Sequence, residues 1–458
     1  MNKHIILTML AASISTVGAC GGGSKTIKGD VPPPPPNVKS ENTPPGKEAP
    51  KREISKDAKN DYQSAISFFA ENEKGNSWNE SACKSSADKF ASVVRQHPDL
   101  VEAQYMVGLS YHRCNLAGDA ERAYQAAIKI KPNHGASLSN LGELYYRAGK
   151  LDGARSYWDS AIKANGKLIA ARINVASMEL DQMRKINNPK DTGWKKLEED
   201  ARFNLSNVLG VDSDNVKAYA LYGLIYMEGW QINKNRLDLA KTLLDEGKKR
   251  NEKSAPLQNA YGLYYMHRAA INEALQHFMA AVEADPKFVE ARINVGLTTL
   301  GFRKYDTAKE QFSKALELAP KSYEAMVGLG IAQRGLKDLD AAEASYKKAK
   351  DMDGKRGDAF YNLGVLWKDF KANKQEDLKA SQQAYRTAKE FFQQAVDKQL
   401  DPTDKEEAKA QIALCDKTVA QLDNAIKAAA SAPPPPAAPA PTTPTPAPTP
   451  APAPPPGK

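Results

Sequence analysis

Groups from which catalytic centres are usually built are scarce in this chain. Its six histidines, His4, His97, His112, His134, His267 and His277, are scattered rather than clustered. No HExxH, CxxC, phosphate-cradling glycine loop or nucleophile elbow occurs. Gly328, Gly330 and Gly335 imitate a dinucleotide-binding loop, but no strand precedes them and they fall inside a helical pattern. The reading is a protein that is not an enzyme, with no cofactor and no metal site. Cysteine is limited to four residues, too few for a disulfide-built scaffold. The apolar run near the start, Ile5 to Leu10, is too short to span a membrane.

What the chain has instead is a beat of small residues. Gly108, Gly142, Ala176, Gly223, Gly262, Gly296, Gly330 and Gly364 recur at intervals of 34, 34, 47, 39, 34, 34 and 34. Each is preceded by an apolar residue, and the five at 108, 142, 262, 296 and 330 are followed by Ala at +12, a large residue at +16, Ala at +19 and often Pro at +24. One unit reads Tyr261, Gly262, Tyr265, Ala274, Phe278, Ala281, Pro286; another reads Val107, Gly108, Tyr111, Ala120, Tyr124, Ala127, Pro132. Small residues let the two helices of a hairpin approach closely, large ones fill the space between hairpins, and proline ends the unit. Only seven of the 29 prolines fall within the repeats and their flanks, five of them at or near a unit end.

With the glycine at position 8, this pattern resembles the tetratricopeptide repeat over about two thirds of the chain. The resemblance implies an all-α, right-handed superhelical solenoid of helix hairpins that binds protein segments in its concave groove. Residues 54–98 read as a degenerate opening repeat, 99–402 as eight repeats, and 403–430 as a solvating cap helix.

The flanks read differently. Residues 1–19 have the charged start, apolar segment and small residues of an export signal, and Val17-Gly18-Ala19-Cys20 is similar to a bacterial lipobox. That predicts a lipidated (palmitate-type) Cys20 and a lipoprotein of the cell envelope. Placement on the periplasmic side of the outer membrane follows by analogy with enteric lipoproteins, the inner membrane and cell surface remaining open. Residues 20–53 form a proline-rich tether, and 431–458 a Pro/Ala/Thr-rich tail, too polar or proline-rich to build a core.

Export implies an oxidising compartment. Cys83 and Cys114 fall at the same end of adjoining hairpins, so they either pair or remain buried thiols, while Cys415 lies at an apolar position of the cap helix. Two insertions, of thirteen residues around Met183–Pro189 and five around Trp230–Lys234, fall in the turns of consecutive repeats. They read either as a docking edge or as loop drift.

Candidate binding residues follow from the groove positions of the repeat. Asn140, Asn174, Asn294 and Asn362 occupy position 6, where the family contacts a ligand's backbone. Leu224, Leu263, Leu297, Ile331 and Val365 occupy position 9 and make an apolar lane suited to an amphipathic helix or extended peptide. Arg113 and Arg147, with Tyr105, His112 and Tyr146, give the first half a polar groove. The net charge of +9 combined with export points to an acidic partner or anionic envelope material, peptidoglycan included, and not to nucleic acid.

The partners implied are envelope proteins, with the membrane reached through the lipid. Similar architectures occur in type IV pilus pilotins and in outer-membrane barrel assembly. In size, repeat count and proline-rich flanks the chain is similar to the tetratricopeptide-repeat lipoproteins of myxobacterial gliding motility. A scaffold in such a motility complex is the first reading. A pilotin or assembly lipoprotein, and a regulator of a peptidoglycan synthase or hydrolase, are the others.

Overall fold

Among the residues described by the computed structural model, 55–75 and 77–431, there are nineteen α-helices and no strand. The export signal, Cys20, the tether and the tail beyond Ser431 lie outside the described residues.

The helices pair in chain order into antiparallel hairpins. The opening pair is α1 (Lys56–Gly75) with α2 (Glu80–Gln96). Eight further pairs follow: α3 (Val101–Arg113) with α4 (Ala117–Ile130), α5 (Gly135–Arg147) with α6 (Leu151–Ala164), α7 (Ile169–Ile186) with α8 (Thr192–Val211), and α9 (Val216–Met227) with α10 (Asn235–Arg250). The array continues with α11 (Ala255–His267) and α12 (Ile271–Ala284), α13 (Val289–Gly301) and α14 (Tyr305–Leu318), α15 (Tyr323–Gly335) and α16 (Leu339–Met352), then α17 (Asp358–Leu366) and α18 (Leu378–Val396). Helix α19 (Pro402–Ser431) lies along α18 and closes the solenoid. None of these helices is long and apolar enough to cross a membrane.

The glycine beat is a steric requirement. A β-carbon at Gly108 would sit 2.6 Å from the ring of Tyr124, and one at Gly364 would sit 2.7 Å from Phe392. Gly330 faces Tyr346 in the same way. In six of the hairpins a position-8 glycine of the first helix receives the flat side of an aromatic ring from the second. Tyr124, Trp158, Phe278, Phe312, Tyr346 and Phe392 are all fully buried, each contributing about 1.5–3 kcal/mol by leaving water. Phe312 is held from both sides, by Gly296 of its own hairpin and Gly328 of the next.

The short turn inside each regular hairpin is also repeated. Asn115, Gly149, Ala269, Arg303 and Lys337 occupy the same frame position and all have positive φ, from 55° to 75°. Between hairpins, Asn165, Asp212, Asn251, Asp285 and Asp353 accept the backbone N–H two residues on, turning the chain after each second helix.

The thirteen-residue insertion does not form a loop. It lengthens α7 to 18 residues and α8 to 20, against 13 and 14 in the preceding hairpin, leaving only residues 187–191 between them. The five-residue insertion remains in the turn 228–234, where Gly229 packs on Pro189 and Trp194. Arg236 then lies over Trp194, pairs with Glu198 at 2.8 Å and donates to the carbonyls of Ile225, Tyr226 and Glu228. The two insertions therefore brace one another, a role the sequence reading had not weighed against docking edge and loop drift. In the last hairpin the extra residues continue α17 as a π-helical turn, Trp367–Lys371, before α18.

Cys83 and Cys114 form a disulfide with Cα atoms 6.2 Å apart, linking the start of α2 to the end of α3. Cys415 is a free thiol, fully buried on the inward face of α19, with its pKa pushed up to about 11 by that burial.

Some buried polar groups carry a cost. Glu179, on α7, has no solvent exposure; Arg155 donates to it at 2.6 Å, and its second oxygen has no partner. Burial pushes its pKa up to about 8, with Arg155 opposing. A carboxyl whose folded pKa exceeds its unfolded value adds stability below about pH 4.5, and that contribution is lost as pH rises through about 8.

Two outcomes are expected. Lys337→Gly, at φ 69°, should raise unfolding free energy in urea by about 0.5–1 kcal/mol, whereas Gly330→Ala should lower it by about 1–3 kcal/mol through the clash with Tyr346; equal effects would refute the steric reading of the beat. The melting temperature should fall between pH 6.5 and 8.5, and fall less in Glu179→Gln. Parallel curves for the two proteins would show that Glu179 is not the group responsible.

Candidate functional site

The first helices of the hairpins line the inner side of the solenoid, and there a trough of about 360 Å³ opens. Its walls come from five successive hairpins: Glu143, Tyr146 and Arg147 on α5, Asn174 and Ser177 on α7, Lys217, Ala220, Leu221 and Leu224 on α9, Pro256 and Asn259 on α11, and Val289 and Glu290 on α13. Trp158 of α6 and the connection Asp285–Phe288 complete it. The lining drifts from the last turn of α5 to the first turn of α13, so the trough runs obliquely across the repeats. Its volume is at the lower end of ligand pockets. A short stretch of peptide fits such a space; a folded domain does not.

One side is apolar, formed by Leu221, Leu224, Trp158 and Phe288; the other carries charge. Arg147 is paired with Glu143 and donates to Asn115 at 3.1 Å. Lys217 differs: among the described residues no carboxylate lies within ion-pair distance of its ammonium. The side chain is open to water yet walled by protein, and the lost hydration holds its pKa below the ordinary lysine value, with Glu143 and Glu290 opposing. A solvent-facing cation without an ion-pair partner among the described residues, beside apolar surface, suits a carboxylate-bearing segment.

The wall is fastened from behind. The Tyr146 hydroxyl donates to Asp181, Arg184 lies 3.8 Å from Asp181, and Arg184 donates to Glu228 at 2.7 Å, so one polar chain ties α5 to α7 and to the end of α9. Burial pushes Asp181 up to about 6, with Arg184 opposing.

Of the residues singled out from the groove positions, Tyr146, Arg147, Asn174 and Leu224 meet in the trough. The others are placed elsewhere. Asn140 donates to Tyr124 at 2.9 Å and Asn294 to Asn259 at 2.8 Å, tying neighbouring helices, while Asn362 donates to the Asp358 carbonyl of its own helix at 2.9 Å. Leu263, Leu297 and Ile331 are 4 %, 0 % and 3 % exposed, and belong with Leu224 to one buried cluster that runs from Ile173 to Leu366. That lane is packing between successive first helices rather than an open surface, and only Val365 keeps partial exposure. Arg113 pairs with Glu73 at 2.5 Å and joins the opening hairpin to its neighbour.

Lys217, Trp158, Asn259 and Glu290 were missed. Lys217 could have been found: position 2 faces the groove, and among the eight repeats this is the lysine there. Trp158 stands on a second helix, outside the groove positions. The histidines serve packing: His112 bonds Tyr124 at 3.3 Å with its pKa held down to about 4 by burial, and His277 bonds Gln258 at 2.6 Å between the rings of Tyr261 and Tyr265.

Residues 115–168 and 296–359 match the family model of the tetratricopeptide repeat, a scaffold that generally binds proteins without catalysis. A search of curated proteins returns no match. Among solved structures, yeast Tom70 aligns at 14 % identity over 80 % of this chain and 70 % of its own, with a TM-score of 0.46. The human IFIT1 dimer with PPP-AAAA aligns at 16 % identity over 72 % and 78 %, with a TM-score of 0.48. A tetratricopeptide repeat protein from Parabacteroides merdae aligns at 20 % identity over 55 % and 93 %, with a TM-score of 0.38. The two matched stretches are tetratricopeptide repeats, and hairpins of the same design on either side of them extend the array into one α-helical solenoid.

Proposed function

We propose that this protein is a non-catalytic scaffold of the bacterial cell envelope, anchored through a lipid on Cys20, that holds partner proteins by an extended segment laid in the oblique trough. The observation that carries the binding half of this reading is Lys217, a solvent-facing cation with no ion-pair partner among the described residues, in the same trough as Leu224 and Trp158. A partner segment would set a carboxylate on Lys217 and an apolar side chain against Leu221 and Leu224. The anchoring half rests on Val17-Gly18-Ala19-Cys20 and the proline-rich residues after it. At about 3.1 Å per residue in an extended proline-rich conformation, such a tether allows the solenoid to reach roughly 90 Å from a membrane. Within this class, size, repeat count and proline-rich flanks favour an outer-membrane motility complex.

Affinity capture from membranes with the full chain tests the binding half. Lys217→Glu should reduce recovery of bound partners at least tenfold while the helical circular dichroism is unchanged; full recovery would refute the trough as the binding site. Independently, Cys20→Ser should move the protein from the membrane to the soluble fraction, and its retention there would overturn the lipid anchor.

A further inference from the structure

Residues 184–196 hold five cations and a single carboxylate, that of Asp191. They span the end of α7, the connection 187–191 and the first turn of α8, so they share one tip of the third regular hairpin. Arg184 is satisfied by Glu228 at 2.7 Å. Lys185, Lys190, Lys195 and Lys196 are exposed, and among the described residues no carboxylate lies within ion-pair distance of any of them. Of the nearby carboxylates, Asp191 accepts the N–H groups of Gly193 and Trp194, Asp181 takes the Tyr146 hydroxyl, and Glu198 holds Arg236. Those of Glu199 and Asp200 lie a turn further along α8, away from the tip.

The tip also projects. Helix α7 begins seven residues before Ala176, as α5 begins seven before Gly142, but it runs ten residues past that position instead of five. Helix α8 begins thirteen residues before Leu205, where α6 begins seven before Trp158, and both end six residues after. All the added length therefore points one way and carries the tip about 8 Å beyond the turn of the preceding hairpin. The turn 228–234 is fastened to it by Gly229, packed on Pro189 and Trp194. Trp230 of that turn stacks near His267 at the end of α11, with ring centroids 5.5 Å apart, and the next residue, Arg268, is exposed and unpaired among the described residues. Two branched aliphatic side chains face water on this surface, Ile186 at 39 % and Ile232 at 53 % exposure. A projecting hairpin end has no walls to hold a peptide. Lysines around exposed aliphatic side chains on such an end match the boundary of an anionic bilayer, where headgroups meet the charges and the apolar groups enter between them.

We propose that the tip formed by residues 185–196 and the turn 228–234 is a membrane-contact surface that rests on the anionic headgroups of a lipid bilayer through its lysines and sets Ile186 and Ile232 among them. The contact requires neither the trough nor the lipid on Cys20.

The test is co-sedimentation of the full-length chain carrying Cys20→Ser with vesicles of phosphatidylcholine alone, and with vesicles in which about a third of the lipid is phosphatidylglycerol. The readout is the part of the binding that about 0.5 M sodium chloride releases, since salt screens the lysines and leaves apolar insertion of other segments in place. Each lysine near an anionic surface is worth about fivefold in binding. Salt-releasable binding should be at least tenfold stronger to the anionic vesicles. It should fall at least tenfold when Lys185→Gln, Lys190→Gln, Lys195→Gln and Lys196→Gln are combined, and at least threefold when Ile186→Ser and Ile232→Ser are combined, with helical circular dichroism unchanged. Equal binding to the two kinds of vesicle, or undiminished salt-releasable binding in the lysine variant, overturns the surface. Should the lysine variant fail to fold, the isoleucine variant decides, and undiminished binding there overturns it equally. Soluble polyglutamate bound as tightly as the anionic vesicles, and bound no less by the isoleucine variant, would assign the tip to an acidic protein segment and overturn the bilayer. Fractionation of Cys20→Ser in the same high salt removes the contribution of the tip, so the lipid anchor is read separately.

Discussion

A glycine against a large side chain of the second helix, sixteen positions on in five hairpins, sets the distance between the two helices in seven of the nine. All else in the solenoid is arranged around that distance. It buries a large side chain at each such contact, an aromatic ring in six of them, and can leave the ring's far side to the next hairpin, as Phe312 shows between Gly296 and Gly328. The contact within a hairpin and the contact between hairpins thus share one side chain. Stability in such an array accrues by neighbours, and a shared ring makes each neighbour dependent on the last.

The insertions respect this contact. In the third regular hairpin the glycine position is Ala176, and the large residue in register, Leu205, lies 29 residues on and in the same buried cluster. In the fourth, Gly223 meets Leu244 after 21 residues, and in the eighth Gly364 meets Phe392 after 28. Added length is absorbed between the paired positions, into longer helices, a turn or a π-helical turn, while the pairing itself persists.

That is why the hairpins were legible from the sequence and the groove was not. The beat of glycines follows from a local steric rule that leaves its mark at fixed spacing. Whether position 9 is open or closed depends on how tightly successive first helices wind, which arises from many packing contacts and has no motif. Leu263 and Leu297 look the same in sequence as Leu224, yet only Leu224 reaches the trough. Lys217 and Trp158 come together across two hairpins because the winding brings them there.

The Cys83–Cys114 bond has a mechanical consequence. It joins the start of α2 to the residue just after α3, so tension entering along α1 can cross the sulfurs and continue into α4. The segment 84–113 between them is bypassed and carries no load while the bond is intact. A pull on the first hairpin would therefore be felt at the regular array without unravelling the helices that join them. Reduction would put those helices back in series with the force.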